Sequence, residues 1–266
     1  MIKTLSIVIT AMLNMHSIFG NMGLTLRDLD GPVAKRGGHR VVFKGEEFQP
    51  ETTATRHEDI VLECEAGGRP TPTIHWLKNG ERIQQGLSRD YLDDAASFEE
   101  KLNDMGKTPM LRLGKVKSKL FLDCVSERDE AVYTCVAETP FDRISQTTKL
   151  VMGNSLSSMS RSSCLTKKAF RGEPARIHLW TSVRLEFQGA PVQLFCRADG
   201  YPAPVCQWKY TEVGLPIVDD DEFKLLPNGD LLINTISWEN MGDYYCTCEN
   251  EAGVDQVSTF LYPTAP

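Results

Sequence analysis

Gly229-Asp230-Leu231-Leu232-Ile233-Asn234-Thr235-Ile236, followed closely by Gly242-Asp243-Tyr244-Tyr245-Cys246, is the stretch from which the rest of the chain can be laid out. Leu231 and Ile233 alternate as one face of a half-buried strand does, and Tyr244 stands two residues before Cys246. Upstream, Val192, Leu194 and Cys196 alternate in the same way, and Trp208 follows Cys196 by twelve residues. Two cysteine-bearing strands with a tryptophan between them and a tyrosine before the second cysteine describe two stapled sheets.

The pattern occurs twice. Ile60, Leu62 and Cys64 give the earlier strand, Trp76 again lies twelve residues on, and Asp129, Ala131, Tyr133 and Cys135 give the corner and the closing strand. Both copies carry G-x-P-x-P-x-x-x-W, as Gly68, Pro70, Pro72, Trp76 and as Gly200, Pro202, Pro204, Trp208. Cys…Trp…Tyr-x-Cys with alternating strands is the signature of an immunoglobulin sandwich. The expected fold class is therefore all-β, two tandem I-set/C2-like sandwiches, with Trp76, Trp208, Tyr133 and Tyr244 in their cores. The first cysteine and the tryptophan repeat after 132 residues, the second cysteine after 111, so the first copy carries about twenty-one extra residues.

Those extra residues do not alternate. Tyr91, Ala95, Phe98, Leu102 and Met105 recur every three or four positions, with Asp93, Asp94, Glu99, Glu100 and Asp104 between them. This predicts an acidic amphipathic helix, either capping the first sandwich or offering a docking surface. Asn79-Gly80 before it predicts a two-residue hairpin turn. Counting back from Cys135 places strand E at 119–125, with Leu120, Leu122 and Val125 inward and Cys124 outward. His75, beside Trp76, has outward parity and reads as a surface residue or a partner contact.

Residues 1–20 read as a secretory signal, with Lys3 at the start and an apolar core at 5–13 too short to span a bilayer. Residues 21–40 read as a flexible leader in which Lys35-Arg36 is a dibasic processing site or a solvated pair. The first immunoglobulin-like domain is expected at 41–152, a serine-rich linker at 153–172 and the second domain at 173–263. The linker's Arg161, Lys167, Lys168 and Arg171 are a solvated cluster or a site for sulfated polysaccharide. In the second domain, 177–180 and 183–187 read as strand A and its continuation, Pro227-Asn228-Gly229-Asp230 as a turn, and 256–262 as strand G. No later apolar run is long enough for a membrane span, and Pro263-Thr264-Ala265-Pro266 is no lipid-anchor tail. A secreted, extracellular product without a membrane anchor is expected.

Eight cysteines suit an oxidising compartment. Pairing across each sandwich joins Cys64 to Cys135 and Cys196 to Cys246, each bond worth ~4 kcal/mol on the chain-entropy model. If Trp208 lies opposite Cys246 on antiparallel strands, then Cys206 lies opposite Cys248, within reach of a disulfide. Cys124 and Cys164 remain, and their bond would pin the linker to the first domain. A zinc site is the rival reading, but Cys246-x-Cys248 with Cys206 matches no common ligand spacing and no histidine is near.

No HExxH, G-x-S-x-G or phosphate-cradling loop occurs, and the histidines are scattered, so no catalytic residue and no cofactor is expected. A net charge of −7 lacks the basic face of a general nucleic-acid binder. No Asn-x-Ser/Thr triplet is present.

Asn228-Gly229-Asp230-Leu231-Leu232-Ile233, Ile236-x-Trp238-Glu239-x-Met241-Gly242-x-Tyr244 and Thr259-Phe260-x-Tyr262-Pro263, with Arg161-Ser162-Ser163 and Ala175-Arg176-Ile177, resemble the nematode zwei-Ig family of secreted neuronal proteins. They also resemble the insect neural/ectodermal development factor, which binds insulin-like peptides. The resemblance covers most of the chain beyond the signal. It implies an extracellular binding protein: in the nematode branch one that maintains axon position in the ventral nerve cord, in the insect branch one that sequesters insulin-like hormones. Four extra cysteines depart from the insect pattern and favour the nematode branch, so no hormone-contacting residue is carried over. The expected partner is an extracellular or neuronal cell-surface protein, with an insulin-like peptide as the alternative. An intracellular muscle-filament module is the third reading, opposed by the signal and the cysteines. The sequence assigns no partner-binding residue; the C-F-G sheet faces, the acidic helix and a groove between the domains are the candidate surfaces.

Overall fold

Alternating apolar residues set the strands of the first sandwich: β1 (Val41–Lys44), β2 (Glu51–Ala54), β3 (Ile60–Gly68), β4 (Thr73–Lys78), β5 (Glu81–Arg82), β6 (Leu113–Leu122), β7 (Ala131–Glu138) and β8 (Arg143–Met152). The computed structural model describes residues 40–86, 108–153, 164 and 172–266. The expected signal, leader and acidic helix, and all of the expected linker but 153, Cys164 and Gly172, lie outside the described residues. One layer runs β1-β3-β6 and the facing layer β2-β8-β7-β4-β5. Leu62, Cys64, Trp76, Leu120, Tyr133, Cys135 and Leu150 are buried between them. Asn79 and Gly80 hold φ of 52° and 86°, the positive pair that turns β4 tightly into β5.

Strand E is displaced from its expected place. It covers Leu113–Leu122, not 119–125, and Cys124 sits in the following turn at φ 54°. Val125 is still fully buried, but from the turn: the Val125 N–H donates to the Glu58 carbonyl, and Asp59 accepts from the Cys124 N–H.

The second sandwich consists of β9 (Glu173–Phe187), β10 (Val192–Leu194), β11 (Cys196–Tyr201), β12 (Val205–Tyr210), β13 (Phe223–Leu225), β14 (Leu231–Ile233), β15 (Gly242–Asn250) and β16 (Gly253–Thr264). Strand A and its continuation are one strand of 15 residues. Strand B is instead split at Phe195. The turn into β14 needs its glycine: Gly229 has φ 96°, and a Cβ there would run into the Cys196 carbonyl. Asp230 beside it is fully buried, accepting from the Cys196 N–H at 2.9 Å and pairing with Arg197 Nη2 at 2.9 Å.

Val41–Pro266 form one compact unit. The reason is a single sheet in the order β1-β3-β6-β9-β16-β15-β12, with β11 also on β9, that runs through both sandwiches.

Candidate recognition surface

β9 uses both of its edges. Along one, Trp180 to Glu173 pair antiparallel with β11, and Val183 to Phe187 pair parallel with β16, so the strand opens into both layers of the second sandwich. Along the other it pairs antiparallel with β6, from Leu113↔Leu185 to Ser118↔Leu179. In an immunoglobulin sandwich the layer of strands A, B and E usually continues into strand D. Here β9 takes that place and covers what would be an open edge.

The seam is closed by groups from both sides. Arg184 and Glu186 on β9 are 2% and 0% exposed, and their Nη2 and Oε2 stand 2.8 Å apart. Glu186 accepts from the N–H groups of Leu111, of Arg112 at 2.9 Å and of Phe187 at 2.9 Å, while Arg184 Nη1 donates to Thr71 Oγ1 at 2.8 Å. A carboxylate is stable without water only when its charge and lone pairs are matched in this way. Ser118 Oγ accepts from Trp76 Nε1 at 2.9 Å and donates to the His178 carbonyl at 2.8 Å. The first sandwich's core tryptophan is thereby tied to β9. Leu179 and Phe195, from the other half of the chain, pack into the first sandwich's core. At the rim, Arg176 forks onto both Asp123 oxygens at 2.8 Å and lies 5.0 Å from the Phe121 ring. Where a groove between domains was a candidate, the described residues instead form paired strands.

The corner residues are placed by their polar tips. Tyr133 and Tyr244 are fully buried and donate to the carbonyls of Asp129 at 3.0 Å and Asn240 at 3.1 Å. Burial raises both phenol pKa values. Trp208 Nε1 donates to the Gly229 carbonyl at 2.8 Å. Disulfides join Cys64 to Cys135 and Cys196 to Cys246, each with Cα atoms 6.5 Å apart and spanning 71 and 50 residues. The register pairs Trp208 with Cys246 and Cys206 with Cys248, and the latter two are bonded with Cα atoms 4.0 Å apart. Cys124 and Cys164 are bonded with Cα atoms 5.8 Å apart. The sulfurs of Cys196, Cys206, Cys246 and Cys248 lie within 4.8 Å of one another, the compactness of a metal tetrathiolate. Each is spent on a sulfur partner and is no thiolate ligand in this state.

His75 departs from expectation. It is 8% exposed, because Glu138, which Arg143 Nε approaches to 3.7 Å, lies against it on the outer face of β4, with Oε1 3.3 Å from its Nδ1. Burial lowers its pKa, against the pull of Glu138. His178, on β9, is buried more deeply: burial, with Arg197 adding, takes its pKa to about 3. Its Nε2 stands 3.7 Å from Asp199, beyond hydrogen-bonding distance.

Outward-facing residues of β12, β15 and β16 align in rows. Val205, Glu249 and Val254 form one row, and Gln207, Thr247 and Gln256 the next. Val205 and Val254 are 68% and 62% exposed; in the loop after β12, Val213 and Leu215 reach 95% and 87%. Glu212 and residues 219–221, all acidic, stand beside them in sequence.

A model of the immunoglobulin domain matches residues 47–139, and one of the immunoglobulin I-set domain matches 183–262. The zwei Ig domain protein zig-3 of Caenorhabditis elegans is 31% identical, over 80% of this chain and 78% of its own. The chain belongs to the zwei-Ig family. A second zwei-Ig protein of that animal, zig-2, is 30% identical over 80% of this chain and 82% of its own. Neural/ectodermal development factor IMP-L2 of Drosophila melanogaster is 32% identical over 77% of this chain and 70% of its own. The crystal structure of IMP-L2 superposes with a TM-score of 0.63 at 25% identity, covering 85% of this chain and 95% of that one. Relatives of this kind are extracellular immunoglobulin proteins. No helix among the described residues of this zwei-Ig chain is long and apolar enough to cross a membrane.

Several residues that build the seam escaped the sequence reading: Gly114, Ser118, Arg184, Glu186 and Phe195. Their signal was present but indirect. An extra stretch whose sequence does not alternate as a strand D would leaves strand E's outer edge to be covered by something else, and an unpaired edge calls for a cover.

Proposed function

We propose that this zwei-Ig protein is a secreted recognition protein that maintains nervous-system architecture, holding axons in position in the ventral nerve cord by binding a neuronal cell-surface protein. The continuous sheet through both sandwiches is the observation that carries the reading. A seam with a buried ion pair and shared core residues keeps the second sandwich, with its outward rows and the exposed loop after β12, in one fixed relation to the first. Fixed, pre-ordered surface lowers the entropic cost of binding. Binding is the whole of the activity assigned, with no chemical step. Deleting the gene in the source animal tests it: axons that grow out normally are expected to drift from position later, and secreted wild-type protein to restore them. Axons that keep their positions would contradict it.

A second reading is sequestration of insulin-like peptides, the role implied by resemblance to the insect branch. The match to the IMP-L2 fold over nearly the whole of both chains favours it. Calorimetric titration with insulin-family peptides decides: heat at micromolar concentrations supports it, and none removes it.

A further inference from the structure

The segment between β5 and β6 leaves and returns over the second sandwich, although its sequence belongs to the first. At its start, Gln85 Nε2 donates to the Lys119 carbonyl at 2.9 Å, and the Gly86 amide lies against the Asp199 carboxylate on β11. β11 stands beyond β9 as seen from β6, so by Gly86 the chain has already crossed the seam. At its end, the N–H groups of Leu111 and Arg112 are held by Glu186 on β9.

Between these two anchors lies the outer face of the second sandwich's layer. Ile177 and Cys196 point into that sandwich's core, whereas Leu179 and Phe195 point the other way, toward the first. Arg197 is on the side of Phe195, 5.3 Å from its ring, and shares Asp230 with Gln193. His178 occupies the bulge opposite Arg197 and Ala198 and stands 3.7 Å from Asp199. In an isolated sandwich these polar groups would face water. Here His178, Gln193 and Arg197 are all buried.

We propose that this face is the docking surface for residues 91–105 of the same chain, which lie along β9 as an amphipathic helix belonging to the first sandwich by sequence and to the second by contact. Length fits the placement. A helix over 91–105 extends about 22 Å, and β9 from His178 to Glu186 extends about 26 Å; the residues on either side of the helix make up the difference. Composition fits as well. Tyr91, Ala95, Phe98, Leu102 and Met105 share an arc of about 80° at about 100° per residue, with Asp93, Glu100 and Asp104 opposite. Turning the apolar arc onto the sheet keeps those carboxylates in water, as unpaired charge requires. The first sandwich's edge at β6 is already taken by β9. Docked on β9, the helix excludes water from His178 and sets Asp93, Glu100 and Asp104 as an acidic ridge held by both sandwiches.

The test uses the full secreted protein, labelled at methyl and aromatic groups for nuclear Overhauser spectroscopy. Contacts from the side chains of residues 91–105 to those of β9 or β11 are expected, with the amides of 91–105 protected from hydrogen exchange. Contacts to β4, β5, β7 or β8 alone would overturn the placement and make the helix a cap on the first sandwich. Unprotected amides with no contact would overturn it too, and leave the apolar arc for a separate partner. Phe98→Asp gives a second readout through carbethoxylation by diethyl pyrocarbonate and peptide mass mapping. His178 is expected to gain reactivity in the variant and to have none in the wild type, with His75 unreactive in both. A variant whose His178 stays unreactive would contradict the docking. If His75 reacts as well, or the variant is not secreted, the fold has been lost and the Overhauser contacts of the wild type decide.

Discussion

Arg184 and Glu186 carry the largest single-residue commitment in the seam. Their charges are matched by each other and by groups of the first sandwich, so losing one leaves the other buried and unbalanced. Glu186→Gln is expected to cost about 3–5 kcal/mol, read as a lower midpoint in urea denaturation. Replacing both residues with apolar ones of similar volume is expected to cost less than the single change. His178 sets a different sensitivity. In the unfolded chain it titrates near its ordinary 6.5, in the folded chain at about 3. Between these values the unfolded state binds the extra proton, so stability falls with pH by about 1.4 kcal/mol per unit. His75, shifted the same way, adds to the fall, while Asp199, raised by burial, opposes it at the acid end. Denaturation series from pH 7 to 4.5 are expected to show a declining midpoint, with a shallower decline in His178→Gln.

At the scale of the element, β9 is what the molecule turns on. Gly114 on β6 shows how closely it is fitted: a Cβ there would lie 2.6 Å from Thr71 Oγ1 and 3.1 Å from the Val183 carbonyl. Gly114→Val is expected to part β6 from β9, raising hydrogen exchange of both strands' amides while the β4–β7 amides stay protected. Unchanged protection across β6 and β9 would mean that the seam accommodates the side chain. The same strand explains what the sequence made legible. Cysteine, tryptophan and tyrosine spacing specified each sandwich because those contacts are internal to one copy, and Asn79-Gly80 specified its turn because positive φ is a property of the dipeptide. β9 was legible as a strand and illegible as a seam. Arg184 and Glu186 have the composition of solvent-facing residues, and only a partner 70 or more residues away in sequence makes them interior. His75 was misplaced for the same reason: parity fixes the face of a sheet, not what lies over it.

For the whole molecule, the sheet through both sandwiches outweighs the Cys124–Cys164 bond as the source of rigidity. That bond spans one turn of the first sandwich and one linker residue, whereas the seam joins six residue pairs along β6 and β9 and places Leu179 and Phe195 in the neighbouring core. A recognition protein with this construction presents both halves together. The outward rows of β12, β15 and β16 then keep one orientation to the first sandwich with or without a partner. Residual dipolar couplings measured on the free protein test this most directly. Couplings from β3 and β7 on one side and β12 and β15 on the other are expected to fit a single alignment tensor with the orientation described. Two tensors of unequal magnitude would show sandwiches that tumble apart, and the fixed surface on which the proposed recognition depends would not exist.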